Sequence, residues 1–154
     1  MRIMIGLVTA LLWATPALAT DWFWVETAED KSTVAFVDKD SIQNMGMKMR
    51  RASVVFIPSE IEDDGAAAYQ STLEYDCADP RYRFIDIRSI DIDGKVFATF
   101  PGSGSWRDIQ EGTLDASSRD FVCSGGDQPT DVRSYGAAFP LAAGRALLLD
   151  DGKD

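Results

Sequence analysis

Leu73-Glu74-Tyr75-Asp76-Cys77 closes one strand-like run, stands just before another, and carries one of the chain's two cysteines. Leu73 and Tyr75 alternate with Glu74 and Asp76, so the two carboxylates read as the outward face of a strand whose other face is apolar. The second cysteine, Cys123, lies 46 positions on, at the end of a segment with helical character. Two cysteines allow one intramolecular pairing, Cys77 with Cys123; two free thiols or an intermolecular bridge are the alternatives. If the bridge forms, it ties a helix to a sheet.

The N-terminus bears on that choice. Arg2 supplies a positive start, Ile3 to Trp13 is an apolar run, Pro16 breaks it, and Ala17-Leu18-Ala19 is a small-residue cleavage box. This is the pattern of a secretory signal peptide. The apolar run is shorter than the ~20 residues a spanning helix needs. Residues 1–19 are therefore expected to be removed, leaving a chain that starts at Thr20, has no lipidation cysteine at its start, and makes no stable membrane insertion. A periplasmic or secreted location is oxidising, which favours the intrachain bridge.

Outward from Cys77, hydrophobic periodicity predicts strands. Trp22 to Thr27 is aromatic and β-branched; Ser32 to Asp38 alternates; Asp38 to Ile42 reads as a polar corner. Met47 to Ile57 passes from an apolar–basic alternation into an apolar run stopped by Pro58, and Ala66 to Asp76 returns, with a short helix at Ala66–Ala68 as the alternative. Arg81 to Asp93 alternates most clearly, with breaks at Phe84-Ile85 and Ser89-Ile90 that suggest a bulge. Asp93-Gly94 predicts a type I′ hairpin turn, Lys95 to Phe100 a return strand, and Gly102 to Ser105 a flexible loop. Thr113 to Val122, free of Pro and Gly, predicts a helix capped by Thr113 and stopped by Ser124-Gly125-Gly126. In the tail, Ala142 to Asp150 reads as a short helix with Leu147-Leu148-Leu149 as a buried anchor.

Composition excludes more chemistry than it suggests. The chain has no histidine, which removes Ser-His-Asp and Cys-His catalysis and every His-containing zinc site. Asp91-Ile92-Asp93-Gly94 begins like a calcium loop but lacks the later acidic ligand, and the hairpin explains the same residues. Glu60, Glu62, Asp63 and Asp64 read as a solvated acidic loop. No catalytic residue, metal ligand or cofactor is assigned. A formal net charge of −10 repels phosphate backbones, so no nucleic-acid partner is expected. The aromatics Trp22, Phe23, Trp24, Tyr69, Tyr75, Tyr82, Phe84 and Trp106 read first as core, with a ligand-lining face as the alternative.

The order of these features carries a resemblance. Trp24-Val25 is followed by Ala35-Phe36-Val37-Asp38 and Ser41-Ile42, a basic–apolar strand, Leu73 to Cys77, Tyr82-Arg83-Phe84, a hairpin at Gly94, Trp106, and Val122-Cys123. Over about Trp22 to Cys123 the chain resembles the surface-adhesin protein E-like family of bacterial exported proteins. The resemblance implies a small antiparallel sheet with a C-terminal helix fastened by one disulfide, and a non-catalytic role. The namesake adhesin binds host matrix and plasma proteins and is a lipoprotein, a feature this chain lacks. The resulting expectation is an α+β domain: an antiparallel sheet of about six strands with a short C-terminal helix held to one face by Cys77–Cys123. Residues 1–19 are the signal peptide, 20–124 the adhesin E-like domain, and 125–154 a partly ordered C-terminal extension. The expected partner is another protein, a host matrix or envelope component, with binding residues unassigned. A periplasmic small-ligand-binding protein or an enzyme using a concave sheet face is the alternative.

Overall fold

The computed structural model describes residues 20–127 and 133–150. The signal peptide over residues 1–19, Pro129 and the acidic last residues 151–154 lie outside them. The described elements are β1 (Trp22–Thr27), β2 (Thr33–Gly46), β3 (Met49–Pro58), β4 (Ala68–Asp76), β5 (Arg81–Ile90), β6 (Val96–Pro101), β7 (Arg107–Asp108), α1 (Leu114–Ser124) and α2 (Leu141–Leu149). Strand order in the sheet follows the chain from β1 to β6, every neighbour antiparallel, and the two-residue β7 pairs with the start of β5. This is the expected α+β architecture, with α1 joined to the end of β4 by a Cys77–Cys123 disulfide.

Strand register sorts the side chains onto two faces. Ala52 pairs with Leu73 and Val54 with Ser71, which places Ala52, Val54, Leu73 and Tyr75 on one side. Helix α1 lays Phe121 and Val122 on that side, and Phe23 packs at 5.4 Å from the Phe121 ring. The alternate residues Val55 and Ile57, with Val34 and Phe36 of β2, form a second core that α2 covers with Leu141 and Leu148. The expectation placed the disulfide-held helix on one face and gave the tail helix no face; each face has its own helix. Gly144 permits the second contact, because a Cβ there would lie 3.1 Å from Val34 Cγ1 and 3.2 Å from Phe36 Cε2. Helical period limits what α2 can bury. Leu141, Gly144 and Leu148 share the inner stripe, whereas Leu149 is 81% exposed, so Leu147 to Leu149 is not a uniformly buried anchor.

Helix α1 begins and ends on its predicted signals. Thr113 Oγ1 accepts the Ala116 N–H at 3.3 Å, and Gly125, at φ 83°, lets the N–H groups of Gly125 and Gly126 return to Val122 and Phe121. Three sequence expectations are corrected. The polar corner at Asp38 to Ile42 lies inside β2, as a register shift between Asp38 and Gln43. Asp38 Oδ1 there accepts the N–H groups of Asp21 and Asp40, and Ser41 Oγ donates to Asp38 O while accepting from Ser53 N, so hydrogen bonds fill the irregularity. The two-residue turn of left-handed residues falls at Met47 and Lys48 (φ 47° and 61°), where no Asn-Gly marks it. At the β5–β6 connection only Gly94 has positive φ; Asp91 Oδ1 accepts from Asp93 N and Lys95 N and shapes a longer loop. Ala66 to Ala68 forms no helix, and the bulge expected at Phe84-Ile85 is present as a shift opposite Thr72 and Leu73.

Candidate interaction surface

The charged residues around Cys77 sit differently from their sequence reading. Glu74 and Asp76 are buried, with Glu74 4% exposed, rather than facing outward. Neighbouring strands bring cations over them. Glu74 is held between Arg51, 3.3 Å to Oε1, and Arg83, 2.7 Å to Oε2. Asp76 Oδ2 accepts Arg81 Nε and Nη2 at 3.1 and 2.8 Å, and its Oδ1 accepts the N–H groups of Ala78 and Asp79. Trp106 stacks under Arg81 and Arg83, with ring centroids 5.0 and 4.8 Å from the guanidinium carbons. Buried carboxylates persist when paired and hydrogen-bonded, so this cluster is a structural ladder across β3, β4 and β5.

The ladder has a pH signature. Hydrogen bonds from Arg81, then from the Ala78 and Asp79 N–H groups, hold the Asp76 carboxyl below its ordinary value of 3.8. A carboxyl depressed in the folded state stabilises it fully above the unfolded pKa and loses that contribution as pH falls through the folded value. Asp76→Asn is therefore expected to be less stable than the parent above about pH 5, with the difference vanishing towards lower pH. Urea unfolding across that range checks it; a pH-independent gap would contradict the ion-pair account.

The aromatics considered as a ligand face are mostly core. Trp22, Tyr75 and Tyr82 are buried, and Phe23, Trp24 and Phe84 pack against the two clusters. Among the described residues the exposed aromatics are Phe97 and Phe100 of β6, at 46% and 53%, flanked by exposed Ile92 and Val96. Sequence reasoning passed over them. A signal existed: Val96-Phe97-Ala98-Thr99-Phe100 is apolar at both strand parities, so no single buried face could absorb it.

Strand β6 is also an edge. At the opposite edge, β1 is covered by the tail: Trp22 N donates to Gly136 O at 3.0 Å, Trp24 N to Arg133 O at 3.2 Å, and Tyr135 N to Trp22 O at 2.8 Å. The outer side of β5 is closed along its length by β6, by Gly102 and Gly104, whose N–H groups donate to Ile85 O and Phe84 O, and by β7. The Gly102 to Ser105 loop is therefore pinned rather than free. Beyond β6, among the described residues, no strand follows. Val96 to Pro101 carries no charge and shows a register shift that leaves Phe97 as an extra residue. Edge strands usually carry charges that discourage pairing; this one pairs open backbone groups with exposed phenyl rings.

A wider groove of about 1030 Å³ lies between the β1–β2 turn and the start of α1. Its lining includes Glu26, Glu29, Asp30 and Asp115. Burial pushes the Asp115 carboxyl up, against the lowering effect of the Tyr82 hydroxyl and of Arg107. Among the described residues no group of three or more His, Cys, Asp or Glu side chains is placed to hold a metal ion. No described helix is long and apolar enough to cross a membrane.

Residues 24–124, from β1 to the end of α1, match the family described as Surface-adhesin protein E. No curated protein and no solved structure matches the chain. The matched segment holds the six principal strands, the ion-pair ladder, both cysteines and the helix they fasten, and it covers well over half of the sequence. The chain belongs to the surface-adhesin protein E family.

Proposed function

We propose that this chain is an exported, non-catalytic protein-binding module, periplasmic or secreted after removal of residues 1–19, in which residues 20–124 are the binding domain and residues 125–154 an extension. Its partner is another protein, a host matrix or envelope component, and it adds an extended segment to β6. The observation that carries this reading is the uncharged, aromatic, open edge of β6 on a chain of net charge −10. Main-chain groups on such an edge supply affinity to an added strand, and aromatic side chains are the usual energetic anchors of protein interfaces. The absence of histidine and the closure of the charged ladder on itself support a non-catalytic role.

The test pairs the parent chain with the double variant Phe97→Lys/Phe100→Lys. Both side chains are about half exposed, so the stability change is expected to stay within about 0.5 kcal/mol. Each protein is immobilised and exposed to extracellular-matrix and plasma proteins and to periplasmic extract. The parent is expected to retain a specific protein that the variant binds at least about tenfold more weakly. Equal binding by the variant, or no specific partner for the parent, contradicts the proposal.

A further inference from the structure

Met45-Gly46-Met47-Lys48-Met49 gathers three of the chain's five methionines into one short stretch. The other two, Met1 and Met4, fall in the expected signal peptide. Methionine is ordinarily a core residue. Here neither hydrophobic cluster contains one: Met47 is 94% exposed, Met45 is 42% exposed, and Met49 is half-buried. Packing of the domain does not account for these three side chains.

The hairpin joining β2 to β3 brings them together. Gly46 pairs with Met49 and Asn44 with Arg50, so Met45 is the extra residue of a bulge and stands with Gly46 opposite Met49. Met47 lies in the turn between them, and with Met49 it lines a depression of about 410 Å³ against the Cys77–Cys123 bridge. Met47 and Lys48 both hold left-handed backbone, at φ 47° and 61°, a conformation that is costly for residues with a side chain and that gathers at ligand clamps. Cys77 N donates to Lys48 O at 2.8 Å and fixes the turn to the bridged end of β4. A methionine side chain is unbranched and freely rotating, so from these three anchor points the sulfurs can converge on one ion.

We propose that the tip of this hairpin binds a soft monovalent metal cation, Cu(I), through the thioether sulfurs of Met45, Met47 and Met49. Thioethers select Cu(I) over harder ions. The chain has no histidine and no free cysteine, so methionine sulfur is the soft donor it offers. Among the described residues no carboxylate lines the depression, and Lys48 and Arg50 stand beside it, which disfavours Ca²⁺, Mg²⁺ and Zn²⁺. Arg50 Nη1 is turned to the Val122 carbonyl at 3.1 Å, and a single positive charge meets less repulsion from Lys48 than a double one. The net charge of −10 draws cations to the chain as a whole. The inference does not rest on the β6 edge.

The test is an NMR titration of the oxidised chain, labelled with ¹³C in its methionine methyls, with Cu(I) under anaerobic conditions and separately with Ag(I), Zn(II) and Ca(II). Cu(I) and Ag(I) are expected to shift the Met45, Met47 and Met49 methyls together and to saturate at one ion per chain, while Zn(II) and Ca(II) leave them unmoved. Ag(I) does not reduce the bridge, so its agreement with Cu(I) separates thioether binding from disulfide chemistry. Met47→Leu is expected to weaken Cu(I) binding at least about tenfold in competition with bicinchoninate. Met45→Leu/Met47→Leu/Met49→Leu is expected to abolish it. Met47 is almost wholly exposed, so its variant carries the test without endangering the fold, and its urea midpoint should equal the parent's. Phe97→Lys/Phe100→Lys is expected to bind Cu(I) as the parent does. Shifts of separate methyls without saturation at one ion, equal affinity in the triple variant, an equal response to Zn(II), or no shift up to about 0.1 mM Cu(I) would each overturn the inference.

Discussion

Removing the disulfide with Cys77→Ser/Cys123→Ser is expected to lower the unfolding free energy by about 4 kcal/mol. The bridge closes a loop with a sequence separation of 46, and in the chain-entropy picture a cross-link of that span removes much of the freedom of the unfolded ensemble. In the folded state it fastens the last turn of α1 to the end of β4. Urea unfolding of the oxidised parent and of the double variant measures the difference directly. A change under about 1 kcal/mol would mean that α1 is held by packing alone.

Packing is the subject of the second large prediction. Phe121 is fully buried between α1 and the sheet, in one cluster with Val37, Val54, Leu73 and Tyr75 and in ring contact with Phe23. Phe121→Ala is expected to cost about 3–5 kcal/mol, from the lost transfer of the ring and from the cavity left behind. The two changes act on the same helix, so they should not add. With the bridge intact α1 stays beside the sheet after Phe121 is truncated; without it the helix loses its packing and its tether together. The sum of the single effects is therefore expected to exceed the effect of the combined variant, because release of α1 replaces the full cost of keeping it docked. Denaturation of all four proteins gives the coupling, and strict additivity would show that Phe121 and the bridge are independent.

The parts of the fold written in local pattern were legible before the structure. Aromatic and β-branched content gave β1, alternation gave the start of β2, part of β3 and β5, Thr113 and Gly125 gave the ends of α1, and the order of Trp24, Tyr75, Cys77, Tyr82 and Cys123 gave the family. What depends on tertiary contact was not. Glu74 and Asp76 look solvent-facing from their alternation with Leu73 and Tyr75, because period two reports which side a residue lies on, not what covers that side. Arg51, Arg81 and Arg83 cover it, and register alone brings them there. Similarly, Asp93-Gly94 carries the sequence of a two-residue turn, but the Asp91 side chain binds two backbone N–H groups and makes the loop longer. Met47-Lys48 has no turn signature, yet the pairing of Gly46 with Met49 leaves two residues to reverse the chain, and both adopt left-handed backbone.

The candidate surface was illegible for a related reason. A strand is an edge only by virtue of what fails to pair beside it, and nothing within Val96 to Pro101 says whether another strand follows. Once β6 is placed last, its Phe97 and Phe100 become exposed apolar side chains instead of core, and their lack of charged neighbours within the strand acquires a meaning.

Backbone amide hydrogen exchange on the complex with the retained partner tests strand addition most directly. If a partner segment adds to β6, the amides of Val96 to Phe100 that point away from β5 should become protected on binding, in the every-second-residue pattern of a new ladder, while exchange along β1 stays as it is in the free chain. Unchanged exchange over Val96 to Phe100, with new protection confined to another surface, would contradict the account.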